Sequence, residues 1–523
     1  METKVIELIT YTRDNAVLGT RQYFMSTSDH EKHIIRIQEE ICSRKSDERL
    51  SLHKRIYESN TIRNSPYKQN SNVYKSVDLH LLNKILSINL EKMEISVQPG
   101  LIFQDLVDVC IKYKVMPLIV VEFPGITIGG SVQGGGLESS SFKHGWVIDT
   151  VLKMDVITGD GQLYKCSPTQ YNDLFYGVSA SFNTLGIITQ VTLQLQPAFN
   201  YVNLSYSHFE NCDQALKEIE NICTSDEQPN YLEGIIFKHN SIMIVKGYHT
   251  NIVQYPLLSF GKYYNEWYYK VIQKLTSKSD NISSIHHCVS YCDYVFRYNY
   301  GAFWMASTLL DHIPLGETKL FQFLFGSLLT TKNLFRTLHY DDKMFLKLSK
   351  YKVVQDIQTS FSCAKICLNY VQNDMAIYPI WLCPIKCTKT PQFLASHYSL
   401  DHDFMLNIGI YGRPLKFPYN PGELHKKLIE LMIDTNSRSG FYAQCWHTKD
   451  QFQRLLGENL EKCEQIKVKY NSQNKFFNLF DKVTLNEAER EQLAQTVENL
   501  NDEKQLIMKN FVQLFKAQCV KLP

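Results

Sequence analysis

The run Gly125-Ile126-Thr127-Ile128-Gly129-Gly130-Ser131-Val132-Gln133-Gly134-Gly135-Gly136 constrains this chain more than any other stretch. Six of the chain's 24 glycines fall within twelve residues. Glycine gives up the most backbone entropy on folding, so such a cluster marks backbone that must bend sharply or approach something closely. Read as a loop, it offers amide groups that could cradle an anion, phosphate above all. Two familiar phosphate loops are excluded. A P-loop needs a Lys-Ser/Thr pair, which is missing, and the dinucleotide fingerprint needs a third spaced glycine, which Gly134-Gly135-Gly136-Leu137-Glu138-Ser139 lacks.

The residues that follow favour a built domain over a bare glycine loop. Val147 to Ile157 is strand-like, Gly159-Asp160-Gly161 signals a hairpin, and Gln162 to Cys166 returns as the partner strand. Asn172-Asp173-Leu174-Phe175-Tyr176-Gly177, Thr184-Leu185-Gly186-Ile187-Ile188-Thr189 and the alternating, β-rich Gln190 to Gln196 follow.

In this order the motifs resemble the FAD-binding (PCMH-type) domain of the vanillyl-alcohol-oxidase superfamily. Thr127 through Gly145, T-x-G-G-x-x-x-G-x-G-x-E-S-S-S-x-K-x-G, is similar to the delta(24)-sterol reductase (diminuto/seladin) family. Asp311 to Gly316, Val353-Val354-Gln355-Asp356, Gln372-Asn373-Asp374 and Tyr378-Pro379-Ile380-Trp381-Leu382-Cys383-Pro384 extend the resemblance. It implies an α+β fold with a two-lobed FAD-binding domain and an α+β substrate (cap) domain, to which the chain's own composition and spacing add a C-terminal helical extension without a counterpart in the family. The boundaries expected are 1–22 for a polar lead-in, 23–200 for the flavin domain, 201–456 for the substrate domain and 457–523 for the extension. In that extension Thr484-Leu485-Asn486-Glu487 reads as a capping-box start. Leu493, Val497, Leu500, Ile507, Phe511 and Leu514 then recur at helical spacing.

The resemblance implies noncovalent FAD, with NADPH as co-substrate and a sterol side-chain C24=C25 bond as the group reduced. The cofactor-binding residues expected are Thr127, Ile128, Gly129, Gly130, Ser131, Val132, Gln133, Gly134, Gly135, Gly136, Leu137, Glu138, Ser139 and Gly186. A first pyrophosphate loop aligns with Leu52 to Thr61, which contains no glycine. Either the Arg55 guanidinium replaces the missing amide donors, or that loop has lost its role. An isolated alkene needs a positioned acid, and Tyr378 is the first candidate. Arg297, Tyr298, Asn373, Asp374 and Arg413 are lesser ones. An FAD oxidase or dehydrogenase of another lipid or alcohol, and a non-enzymatic descendant, stay open as alternatives.

Composition narrows the partners. Net charge is +2 and no basic stripe is visible, so nucleic acid is not expected. The 14 cysteines include pairs four apart (Cys288 and Cys292, Cys363 and Cys367, Cys383 and Cys387) but no C-x-x-C, so no metal is expected and reduced thiols are. No signal peptide and no stretch of about 20 apolar residues is seen; the resemblance implies peripheral attachment to the endoplasmic reticulum membrane, with a cytoplasmic location as the alternative. Tyr255 to Tyr264 and Phe321 to Leu329 each combine apolar and aromatic residues with nearby lysine, and each is either a membrane-surface segment or core. Oligomeric state is not legible in the sequence.

Overall fold

The computed structural model describes residues 23–53, 74–277, 285–313, 316, 318–338, 347–443 and 445–508. Arg55 and most of the glycine-free loop lie outside them. The chain builds mixed α/β structure around three sheets.

The smallest sheet pairs β1 (Arg49–His53) in parallel with β2 (Tyr74–Asp78). Helix α1 (Thr27–Cys42) covers it, started by Ser26, whose hydroxyl accepts the Asp29 amide. Ile34, Ile37 and Ile41 recur at helical spacing and pack against Leu50, Val77 and Leu82. The second sheet holds β3 (Ile85–Asn89), β4 (Glu94–Val97), β5 (Val115–Pro117), β6 (Val151–Ile157), β7 (Leu163–Cys166) and β8 (Ile187–Pro197). Its order is β3-β4-β8-β6-β7, with β5 beside β8, and every pairing is antiparallel. The hairpin expected at Gly159-Asp160-Gly161 is the β6–β7 connection.

The third sheet runs β12 (Leu257–Leu258), β13 (His286–Ser290), β9 (Tyr201–Phe209), β11 (Ser241–Thr250), β10 (Tyr231–Lys238), β15 (Ile380–Lys386), β16 (Phe404–Gly412), β14 (Val353–Thr359), β17 (Arg438–Ser439). Its central strands β10, β15 and β16 are buried on both faces. Register decides what each face presents, because side chains alternate along a strand. Gly234 opposes Leu382 and looks toward Ile219 in the helix Cys212–Thr224. Ile235 opposes Trp381, and Trp381 opposes Gly409, itself opposite Asp356. Glu233, Trp381, Cys383, Tyr411, Asp356 and Gln358 therefore share the other face.

Helix α2 (Ile128–Gly134) occupies the middle of the glycine run, which the sequence suggested was a loop. Thr127 caps it by accepting the Gly130 amide, and Gly135 ends it at φ +76°, a left-handed conformation that suits glycine.

The C-terminal segment folds back onto the β6–β7 hairpin. Helix α3 (Glu458–Lys469) ends at Tyr470, whose hydroxyl donates to Asp173 at 2.6 Å, and Asn471 donates to Asp160 at 3.0 Å. The Leu50 amide donates to the Lys475 carbonyl at 2.6 Å, tying this segment to β1. The continuous helix expected from Thr484 is broken within the described residues, where residues 501–508 form a separate helical stretch, and Phe511 and Leu514 lie outside them. Helix α4 (Glu487–Leu493), capped by Asn486 rather than Thr484, stops at Leu493, and Val497 instead exchanges backbone bonds with Tyr419. A buried apolar position can be met at helical spacing by an extended segment packed on the same surface, so periodicity alone misreads it.

A Cβ added at Gly159 would stand 2.9 Å from the Lys475 side chain and 3.0 Å from the Asn471 carbonyl. Gly159→Ala should therefore destabilise the protein by about 1–3 kcal/mol through overpacking. Chemical denaturation checks this, and an unchanged midpoint would mean the hairpin and the C-terminal segment are not in contact.

Candidate functional site

A cavity of about 250 Å³ lies between α2 and the shared face of the nine-stranded sheet. On one side stand Thr127, Gly130, Ser131, Gln133, Gly134, Gly135, Gly136 and Leu137, with Trp146 and Phe182. On the other stand Val354, Asp356 and Gln358, which are alternate residues of β14, together with Trp381, Tyr411 and Tyr442. Phe123, Phe303, Met305 and Phe335 make the rest of the wall strongly apolar. Phe303 has φ +62° and follows Ala302 at +46°, and this uncommon backbone brings its ring onto Tyr298 (centroids 4.0 Å apart) and Tyr411 (4.7 Å).

Of the residues expected at the cofactor, Ile128, Gly129, Val132, Glu138, Ser139 and Gly186 do not line the cavity. Ile128 and Val132 are fully buried beneath the helix, and a Cβ at Gly129 would meet Pro99 at 2.5 Å. Gly186 supports the site from behind, its carbonyl accepting from the Gln133 side chain at 3.2 Å. The amides do not form the open nest expected either. Those of Ile128, Gly129, Gly130, Ser131, Gly135 and Gly136 all bond to other protein groups. The glycines therefore contribute bare backbone surface and close approach rather than free donors.

Behind this wall lies a buried ionic cluster. The Arg297 guanidinium donates to Glu138 at 2.7 Å, to Glu233 at 3.0 Å and to the Tyr294 carbonyl at 3.1 Å. Its charge also sits over the rings of Tyr294, Tyr298 and Tyr268. Glu233 accepts further bonds from Tyr268 (2.7 Å), Tyr298 (2.9 Å) and Trp381 (2.8 Å). Burial opposes charge on Glu233, but Arg297 and these donors hold its carboxyl below the ordinary value. Burial pushes Glu138 the other way, and Arg297 only partly offsets it. Glu138 and Ser139 thus join the glycine segment to the sheet behind the cavity lining. Cys383 reinforces the joint, its thiol donating to the Glu138 carbonyl at 3.3 Å.

Two further carboxyls face the cavity: Glu122, which no sequence motif marks, and Asp356, which lies in a segment of the resemblance but was not expected at the site. Burial, with the Glu138 charge behind it, pushes Glu122 up to about 8. Asp356 is raised by burial too, although it accepts bonds from Asn407 (3.0 Å), Tyr411 (2.8 Å) and Tyr442. Tyr378 does not line the cavity. It precedes β15, and the alternation of that strand sends Trp381 inward instead. Asn373 and Asp374 do not line it either, and Arg413 is engaged with Asp311 at 2.7 Å. Lys482, from the C-terminal segment, lines the cavity beside Ser51 and Leu52. Among the described residues no His, Cys, Asp or Glu cluster suits a metal ion.

Several polar atoms on or beside the wall have no protein partner, among them Ser131 Oγ, Trp146 Nε1 and Gln358 Oε1. Buried polar groups are nearly always satisfied, so these fit a ligand that is polar along one edge.

Residues 63–167 match a family model described as an FAD binding domain. The chain is 26% identical over 437 residues to the Delta(24)-sterol reductase of Homo sapiens, covering 81% of this chain and 80% of that protein. It is 24% identical over 452 residues to the Delta(24)-sterol reductase of Pisum sativum, covering 80% and 78%. A shorter similarity, 30% identity over 162 residues, reaches Cytokinin dehydrogenase 8 of Oryza sativa subsp. indica, covering 30% and 29%.

Replacing Arg297 by Met would leave two buried carboxyls facing each other without a cation. The loss should be about 3–5 kcal/mol, the usual result of removing one partner from a buried charge set. Lysine should rescue poorly, since one ammonium cannot reproduce the forked bonds to two carboxylates. Thermal and denaturant unfolding of R297M and R297K check both statements.

Proposed function

We infer that this chain, a homologue of the delta(24)-sterol reductases with an FAD-binding domain, is an FAD-dependent oxidoreductase that reduces a sterol side-chain C24=C25 bond. The observation that carries the reading is the composition of one cavity. A bare glycine wall with unsatisfied polar atoms faces an aromatic wall that bears two carboxyls of raised pKa. NADPH as electron donor rests on the likeness to the sterol reductases, as does peripheral attachment to the endoplasmic reticulum membrane. The assignment of residues 23–200 as a two-lobed flavin domain, 201–456 as a cap and 457–523 as an extension belongs to the same proposal.

FAD, when bound, supplies the hydride that one alkene carbon takes up. Thr127, Gly130, Ser131, Gln133 and Gly134 to Leu137 would hold it, with Ser131 Oγ and Trp146 Nε1 bonding its polar edge. Lys482 would supply positive charge for its pyrophosphate, and the likeness to the sterol reductases suggests Arg55 as a second source. The remaining chemistry falls to the protein. The second alkene carbon needs a proton, and Glu122 still holds one at neutral pH because burial raises its carboxyl to about 8. Asp356, fixed by Asn407, Tyr411 and Tyr442, keeps a second raised carboxyl on the same wall. The aromatic wall excludes water, so positive character developing on the alkene is not quenched. Glu122 regains its proton from solvent once product leaves.

The visible spectrum tests the cofactor. The purified protein should be yellow, bleach with NADPH and recolour with a 24-unsaturated sterol. A colourless protein that ignores added FAD would overturn the reading, and reoxidation by oxygen alone would move it to the oxidases. A Cβ at Gly135 would stand 2.5 Å from the Trp146 ring in a left-handed backbone, so Gly135→Val should abolish flavin retention.

A pH profile tests Glu122. Its folded value lies above the unfolded 4.5, so the protonated form persists at neutral pH and turnover should fall as pH rises through about 8. By the same linkage the group makes the folded state less stable as pH rises from 4.5 toward about 8. Glu122→Gln should remove both dependences and slow turnover by about 10²–10⁴-fold. An unchanged profile in E122Q would take the proton donor away from Glu122.

A further inference from the structure

The two segments that the sequence left open between core and membrane surface meet in space. Helix α5 (Lys319–Phe325) turns Phe321 inward and leaves Leu320 66%, Phe323 59% and Leu324 57% exposed. These three positions are one helical face, spaced i, i+3, i+4. Beside them stands Tyr264, 46% exposed, its ring 6.5 Å from that of Phe323. The two segments are stitched together, because the Gln322 side chain donates to the Tyr263 and Asn265 carbonyls. Four large apolar side chains thus form one outward patch, where single exposed hydrophobics would need no explanation.

Within the two segments themselves the charge has one sign. Residues 252–265 and 318–338 include Lys262, Lys319, Lys332 and Arg336 but no Asp or Glu. Lys262 lies 5.7 Å from the Tyr264 ring centroid. The carboxylates described next to these segments are already engaged: Glu266 pairs with Lys274 at 2.5 Å, and Asp293 accepts from Ser259 Oγ at 2.7 Å and the Phe260 amide at 3.1 Å. The patch also belongs to the element that walls the cavity. The chain runs from α5 through Leu329, whose carbonyl accepts from Gly301, into the helix Thr331–Leu338, which puts Phe335 against Phe123 in the cavity wall (centroids 5.7 Å).

We propose that Leu320, Phe323, Leu324 and Tyr264, rimmed by Lys262 and Lys319, dock this protein on the surface of an anionic phospholipid bilayer. Amphipathic helices bind interfaces by burying such a face among the acyl chains while lysines meet anionic headgroups. The proposal deepens the functional reading, because a bilayer is where a sterol is dissolved. It does not depend on that reading for its test.

The test is sedimentation of the full-length protein with phosphatidylcholine vesicles with and without phosphatidylserine. The wild type should pellet with the mixed vesicles and far less with phosphatidylcholine alone. The triple variant L320E/F323E/L324E should bind about tenfold more weakly or worse. K262E/K319E leaves the apolar face intact and should lose on the order of fivefold per lysine, an effect that added salt reproduces in the wild type. Circular dichroism confirms that each variant is folded, and turnover of detergent-dispersed substrate should be unchanged. Failure of the wild type to bind either vesicle would overturn the proposal, as would full binding by the triple variant. A triple variant that binds normally but changes oligomeric mass by light scattering would reassign the face to a protein contact, which also overturns it. A protein that binds vesicles through this face yet reduces no sterol would keep the docking surface and lose the functional reading.

Discussion

The Arg297 guanidinium is the contact on which the rest of the site depends. It sits where the glycine segment meets the nine-stranded sheet, with Glu138 from one and Glu233 from the other. Both carboxylates and the cation are removed from water, a costly arrangement unless every polar atom is matched. Tyr268, Tyr298, Trp381 and Ser139 supply the matching. An apolar joint of the same volume would hold the two parts equally well but would tolerate sliding. A forked, hydrogen-bonded cation fixes one relative position, and the width of the cavity follows from it.

That joint also sets the electrostatics of the cavity. Glu138 contributes to raising Glu122, while Arg297 acts in the opposite sense. The cluster therefore positions the wall and tunes an acid on it from behind. Trp381 shows the same double role, with its indole nitrogen bonded to Glu233 and its side chain in the cavity lining.

Much of this was legible in the sequence, for identifiable reasons. The glycine run announced close backbone approach, and Thr127, Ser131, Gln133 and Gly134 to Leu137 do line the cavity. What the run could not reveal was that its amides are already bonded, because their partners at Pro99 and Leu101 are distant in sequence. Asp356 and Trp381 stood inside recognised segments, yet strand register chose them, and register is a pairing between remote segments. Tyr378 drew attention as a phenol near that motif, but it lies just before the strand whose alternation aims Trp381 inward. Glu122 carries no local signal at all, since its character comes from burial. The C-terminal periodicity was real, but packing used Val497 in an extended bridge to Tyr419.

The return of the C-terminal segment has a consequence for how the molecule is assembled. Leu50, near the beginning of the described chain, bonds to Lys475, and Lys482 completes the cavity beside Ser51. A ribosome delivers these partners more than 400 residues apart (50 to 475). Long loops close slowly, and domains otherwise tend to fold as they emerge. The small β1–β2 sheet and the outer end of the cavity thus stay unfinished until the segment from Lys475 to Lys482 has been made. The cavity wall is therefore completed late in the making of the chain, by a residue far from the glycine segment that begins it.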